Sequence, residues 1–341
     1  MGSQNRAIST PQAVDFVIIG AGPAGLAAAI ALKQAGFSHL VVDKGTIVNS
    51  IYHFPEEMVF FTDRALLEIG GIPFAVPEIK PNRIQALHYY RGVVRAHRLR
   101  VLTDTPVVGI EGEEGNFLVH TESPAHPTIP CRRVVVAVGY YDNPNLLGVP
   151  GEDLPHVSHY YDSPHPYYGK RVVIVGGQNS AVEAALELYR NGAEVTLVHR
   201  RSELGQSLKY WIRPDIENRI KEGAITAHFN TEVRAIDPGR VHLVNNQTAK
   251  SFTLPADRVL LLTGYHPDAS LLRELGIEVD PESLVPAHDP ESLESNRPGV
   301  FLAGAVLSGR NTNQIFIENG RFHGEQIVRA LLRRRQREAS G

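Results

Sequence analysis

The sequence of 341 residues holds one cysteine, one tryptophan and two methionines. A lone Cys131 excludes an intramolecular disulfide, a Cys-x-x-Cys redox pair and any cysteine-rich zinc site. Long apolar runs are missing too. No stretch reaches the ~18 residues of a membrane span, and residues 1–12 are polar, unlike a signal peptide. Neither a heptad array, a solenoid repeat nor a Gly-X-Y period is visible. Charge of one sign is also lacking. A balance of 34 Lys and Arg against 37 Asp and Glu leaves −3, which argues against nucleic acid as a partner. The basic group Arg333–Arg335 with Arg337 reads as the end of a terminal helix, where cations face the negative end of the dipole. A soluble, cytoplasmic protein of two domains is the expectation.

What is present is glycine in nucleotide-binding positions. Two segments repeat one plan of buried strand, glycine turn, Ala-rich helix and second strand. The first runs from Asp15–Ile19 through Gly20-Ala21-Gly22-Pro23-Ala24-Gly25 to a helix ending near Gly36, then to Leu40–Asp43. In G-x-G-x-x-G the first glycine permits a tight turn and the second lets a pyrophosphate approach the backbone. The third permits close helix packing, and the helix N-terminus attracts the anion. Asp43 stands 18 residues past Gly25, where a carboxylate can bond ribose hydroxyls. The alternative, a glycine turn used only for packing, fits the aligned strand, helix and acid poorly.

The second segment runs from Arg171–Val175 through Gly176-Gly177-Gln178-Asn179-Ser180-Ala181 to a helix ending near Gly192, then to Glu194–Val198. Gln178 replaces a glycine, while Gly176, Gly177 and the small Ala181 preserve the turn. The strand ends in His199-Arg200-Arg201 with no acid, which suits a ribose 2′-phosphate and hence NADPH rather than NADH. The alternative, a degenerate nucleotide domain with surface arginines, is the weaker reading. Further apolar strands are expected at Arg132–Val138, Arg258–Thr263 and Val300–Ala303, with antiparallel strands at Phe117–Thr121 and Arg240–Val244. A long helix is expected from about Asn313.

An acid after the first turn and arginines after the second point to FAD first and NADPH second. On these residues the chain resembles the two-dinucleotide flavoproteins, specifically the thioredoxin-reductase-like group and, within it, the bacillithiol-disulfide reductase family. Three further stretches carry the likeness: Lys44–His53, Thr263–Asp268 and Ile315–Gly324. The fold class so implied is α/β, two Rossmann-like three-layer domains with the NADPH-binding domain inserted into the FAD-binding one. Its expected limits are a disordered 1–12, an FAD-binding 13–155 with 286–335, an NADPH-binding 156–285 and a tail 336–341. The resemblance places Gly20, Gly22, Pro23, Ala24, Gly25, Asp43, Lys44, Asn49, Ser50, His53, Val107, Ala137, Gly139, Gly304, Gln314 and Ile315 at FAD. It places Gly176, Gly177, Gln178, Asn179, Ser180, Ala181, Glu183, His199, Arg200, Arg201, Thr263, Gly264 and Tyr265 at NADPH.

Departures from the pattern matter as much. The family's reactive cysteine immediately precedes the last glycine of the first motif, and here that residue is Ala24. Ala305 stands where many flavoproteins keep an aspartate for the ribityl chain. The implied activity is therefore NADPH-driven reduction of bacillithiol disulfide, or a similar small disulfide, by the flavin itself. The reductant's partner is that disulfide or a small redox protein, and the assembly a homo-oligomer. His53 is the one candidate proton donor among the side chains. Cys131, between Pro130 and Arg132, is more readily structural than catalytic. His156, His159 and His165 lack the carboxylate or thiolate that would complete a metal set, so no metal is expected. Other readings stay open: a ferredoxin (or flavodoxin)–NADP reductase of the thioredoxin-reductase type, a flavin monooxygenase, or an NADPH-responsive redox sensor.

Overall fold

The computed structural model describes residues 13–340, so the expectation of disorder over 1–12 falls outside the described residues. The chain divides into two compact units. One runs up to Asn143 and resumes at His266; the other spans Pro144–Tyr265. These limits differ from the 155/156 and 285/286 expected, for a packing reason. Leu147, Val149 and Leu154 pack against a core containing Val173 and Leu261, on the side of the inserted unit. Leu272, Leu275 and Ile277 are buried in the other unit's core, with Ile18 and Phe301.

The first unit is built on a seven-stranded sheet in which Val14–Ile19 lies between His39–Val42 and Thr128–Val136, parallel to both. Its strands are continuous apolar runs because helices cover parallel sheets. Thr128–Val136 divides its other edge. Thr128–Cys131 pair antiparallel with Phe117–His120, and Val134–Val136 pair parallel with Val300–Leu302. Cys131 thus sits inside a strand rather than ahead of one. The helix Pro23–Gln34 follows the first glycine turn, its residues Gly25–Leu32 buried. No continuous helix starts at Asn313. A short helix, Ile317–Gly320, precedes a separate Ile-, Leu- and Arg-bearing one, His323–Ser340, which takes up the expected tail as far as the described residues reach. Its Arg334 does more than face a dipole: it pairs with Glu114 at 3.0 Å and Glu294 at 3.7 Å.

The second unit repeats the topology in a five-stranded parallel sheet. Arg171–Val175 lies between Glu194–Val198 and Arg258–Leu261. A three-stranded antiparallel sheet, Thr231–Asp237, Arg240–Asn245 and Ser251–Pro255, is added. In each unit the glycine turn leaves the central strand at its carboxyl end, with neighbours diverging to either side. That is the switch point at which open α/β sheets bind ligands.

Candidate cofactor sites

The first turn is held by contacts that only glycine allows. Gly20 has φ +109°, and a Cβ there would lie 2.4 Å from the carbonyl oxygen of Ala137. A Cβ at Gly25 would meet the Gly20 carbonyl at 2.0 Å. Gly22 is different: a Cβ there would meet nothing within 4 Å. It also caps the helix Pro23–Gln34 without any side-chain hydrogen bond. Open space thus lies before uncapped first-turn N–H groups at the positive end of a helix dipole, which is an anion cradle.

Asp43 closes this cradle from the next strand. Its Oδ2 accepts the Ala21 N–H at 2.7 Å and its Oδ1 the Gly45 N–H at 2.9 Å. Burial pushes its carboxyl above the usual range, with the two N–H donors opposing and the Asp142 carboxylate reinforcing. Each oxygen keeps a further lone pair for a hydroxyl donor. Asn49 Oδ1 accepts the Thr46 N–H, fixing the loop that carries Lys44, whose ammonium pairs with Asp142 at 3.0 Å. His53 presents an exposed ring, and its carbonyl accepts from Tyr141 Oη at 3.1 Å. Thr105 N–H bonds the Asp43 carbonyl, bringing the start of Val107–Glu113 alongside.

Later segments join the same place. A Cβ on Gly304 (φ +79°) would lie 2.6 Å from the Ala24 Cβ, and one on Gly320 would lie 3.4 Å from both Gly304 Cα and Ile315 Cγ2. So Ala24, Gly304 and Ile315 come together. Gly139 (φ +67°) lies three residues past the strand end, open around its Cα. Ser50 is half-buried in the short helix Asn49–Tyr52, and Gln314 is exposed, its carbonyl accepting from Asn319.

In the second unit, a Cβ at Gly176 (φ +155°) would meet the Leu262 carbonyl at 2.5 Å and Ala181 Cβ at 2.6 Å. A Cβ at Gly177 would meet the His199 ring at 2.4 Å, so the strand-end imidazole fills that space. Burial, then Arg201 and Arg200, push the His199 pKa down. Gln178 occupies the position of Gly22 in extended backbone (φ −110°), and its Oε1 accepts from Ser207 Oγ at 2.7 Å. Asn179 receives the Lys209 N–H and donates to the Ser207 carbonyl, while Glu183 pairs with Lys209 Nζ. Arg200 and Arg201 are exposed and have no acidic partner among the described residues. Ser180 is exposed at the same helix start.

Thr263-Gly264-Tyr265 are tied to the start of the second unit by Asn145. Thr263 Oγ1 donates to its carbonyl at 2.6 Å, and Asn145 Nδ2 donates to the Thr263 carbonyl at 3.1 Å. The Tyr265 ring stacks on Tyr160, centroids 5.6 Å apart. Asn145, Tyr160 and the 205–209 segment were not singled out from sequence.

Cys131 is 3% exposed and bonded into the sheet on both sides. Burial pushes its thiol up to about 12, so flanking Arg132 and Arg133 do not make it a thiolate. His159 faces Glu152 at 3.4 Å, and no group of three metal-ligating side chains assembles among the described residues.

Two switch-point sites in one chain, one closed by an acid and one flanked by free arginines, define an oxidoreductase for two dinucleotides. The profile described as "Pyridine nucleotide-disulphide oxidoreductase" matches residues 17–304, and the chain belongs to that family. It is 44% identical over 319 residues to the bacilliredoxin reductase Bdr of Bacillus subtilis (strain 168), covering 93% of this chain and 97% of that protein. The solved bacillithiol disulfide reductase Bdr (YpdA) from Bacillus cereus superimposes with a TM-score of 0.91 at 42% identity, over 95% of this chain and all (100%) of that one. A ferredoxin–NADP reductase of Ignicoccus hospitalis is 26% identical over 300 residues, 86% of this chain and 90% of that protein. The resemblance to the bacillithiol-disulfide reductases is thereby shown, and the chain is an oxidoreductase enzyme.

Proposed function

We propose that this enzyme oxidises NADPH, uses FAD, and reduces bacillithiol disulfide without a thiol of its own. The observation that carries the reading is the near full-length likeness to a bacilliredoxin reductase and a bacillithiol disulfide reductase. The residues present fit both cofactors. FAD suits the first turn, where Gly22 leaves room for a pyrophosphate and Asp43 keeps acceptor capacity for a ribose. NADPH suits the second, where Arg200 and Arg201 are free for a 2′-phosphate.

When bound, the pair supplies two-electron chemistry: NADPH, one proton and one disulfide yield NADP⁺ and two thiols. This chain's residues orient and shield. Asp43 and the turn fix the adenosine end, and Thr263-Gly264, braced by Asn145, gives the second unit a rigid edge beside Tyr265. A buried thiol pushed up to about 12 cannot relay electrons as a thiolate, and Ala24 has none to offer. His53, exposed, is the side chain available to hand a proton to a departing thiolate. Thiol products belong in a reducing compartment, so we place the enzyme in the cytoplasm.

Anaerobic stopped flow tests the reading. NADPH should bleach the bound flavin, and bacillithiol disulfide should restore its absorbance within the turnover time. Restoration by ferredoxin or flavodoxin alone would move the assignment to the second reading, which the Ignicoccus relative favours. A long-lived oxygen adduct would indicate a monooxygenase, and flavin that stays oxidised under NADPH a sensor.

A further inference from the structure

Three glycines bring the motif helix, the turn after Val300–Leu302 and the terminal helix to backbone distance in the first unit. A Cβ on Gly304 would lie 2.6 Å from the Ala24 Cβ, one on Gly320 3.4 Å from the Gly304 Cα, and one on Gly324 2.4 Å from the Ala28 Cα. One polar side chain links them. His323, half-buried at the start of the terminal helix, accepts the buried Gly304 N–H at Nδ1, 2.9 Å away. A backbone N–H can only donate, so Nδ1 carries no proton and the neutral ring bears its hydrogen on Nε2. Ala305, the next residue, offers no polar side chain of its own.

We propose that His323 is a positioning residue for the flavin-side turn, and that its protonation makes flavin retention acid-sensitive. The proposal rests on the reading that Gly304 and Ala24 face FAD. Protonated, Nδ1 becomes a donor aimed at a donor, and the Gly304 N–H loses its partner inside the protein. Burial and the neighbouring His288 already favour the neutral ring, so the bond is made at neutral pH and lost on the acid side of 6.5. His288 is the titratable group that acts on it. It lies on the segment whose Pro290 and Glu291 carbonyls accept from Gln326 of the same helix. The motif helix presents Ala27 and Ala28 at Gly324. The turn contributes Ala303 and Ala305. Arg321 is committed to the Ala65 and Glu68 carbonyls and lies over Phe322.

Apoprotein titrated with FAD by flavin fluorescence quenching, at about pH 7.5 and about pH 5.5, tests this on full-length chains of wild type, His323→Asn and His323→Leu. Melting curves run in parallel. Asn keeps an acceptor near the Nδ1 position but cannot titrate. It should bind FAD like wild type at neutral pH and lose less affinity on acidification. Leu should bind about tenfold more weakly at both pH values, the scale of one unpaired buried N–H. Asp43 titrates in all three and cancels in the comparison. A folded Leu variant with wild-type affinity, or an Asn variant as acid-sensitive as wild type, overturns the proposal. Should Leu not fold, the Asn comparison decides. A wild-type apoprotein that takes up no FAD at all would instead overturn the reading of the first turn.

Discussion

In the first glycine turn the middle position, Gly22, faces open space, and the following acid, Asp43, is buried with both oxygens on backbone donors. In the second turn that position carries Gln178, tied to Ser207, and the following strand ends in a buried His199 and two exposed arginines. Yet the first positions match. Gly20 and Gly176 both have positive φ and both press on a neighbouring strand's carbonyl, Ala137 or Leu262. The difference separates two jobs that one motif combines. The first glycine is demanded by the sheet itself, while the middle one is demanded by whatever lies in front.

The largest effects should come from the shared positions. Gly20→Ala and Gly176→Ala each force a Cβ to within 2.4 or 2.5 Å of a backbone oxygen at a φ that side chains rarely adopt. Each should cost about 2–4 kcal/mol of stability in chemical denaturation, and Gly20→Ala should also strip the flavin. If one is tolerated and the other not, the two turns are not the same device.

Next in size is the charge contrast. Arg200→Ala combined with Arg201→Ala should raise KM for NADPH about tenfold to a hundredfold, on the scale of charged hydrogen bonds, and leave KM for NADH nearly unchanged. Melting should not move, because both side chains are exposed and hold no acidic partner among the described residues. Equal losses with both cofactors would remove the 2′-phosphate from the account.

Smaller still is a pH contrast of opposite sign. His199 has its pKa pushed below 6.5, so its contribution to stability is present above 6.5 and lost as pH falls through the folded-state value. Its Nε2 is buried and has no hydrogen-bond partner among the described residues, which favours the neutral ring further. Asp43 is pushed above 3.8, so in the apoprotein it opposes folding as pH rises through its folded-state value. Apoprotein melting against pH should therefore flatten just below 6.5 for His199→Leu, and in the range that opens upward from 3.8 for Asp43→Asn. Identical profiles for the two variants would contradict the burial of one or the other.

How far the sequence carries depends on how local each device is. The strand–turn–helix units were readable because continuous apolar strands, a glycine turn and an Ala-rich helix are neighbours along the chain. Asp43 was readable for the same reason, and it closes the cradle from the next strand. The braces were not. Gln178 meets Ser207 across 29 positions, and Asn145 meets Thr263 across 118. His323 lay in view within Ile315–Gly324, but its partner is a backbone N–H 19 residues back. A side chain's partner across a folded unit leaves no spacing to read. The unit limits are no more local, since Leu147 and Leu272 declare their core only through packing.

The reciprocal exchange at the middle position should have the smallest effect on the fold and is the sharpest test of the division of labour. Gln178→Gly removes a solvent-exposed bond to Ser207 at a backbone conformation any residue adopts, so it should cost about 0.5–1.5 kcal/mol at most. Gly205, Asn179 and Lys209 would still tie the covering segment down through Gly177, Ser207 and Glu183. Gly22→Gln adds a side chain where a Cβ meets nothing, so melting of the apoprotein should be within about 1 kcal/mol of wild type. FAD affinity, however, should fall about tenfold or more, because the open space is the cofactor's. Unchanged melting with lost flavin in one variant, and nearly unchanged melting with retained NADPH binding in the other, would show that the second turn has given its middle position to a protein brace. Lost NADPH binding in Gln178→Gly would mean instead that the glutamine, through Ser207, shapes the nucleotide site itself.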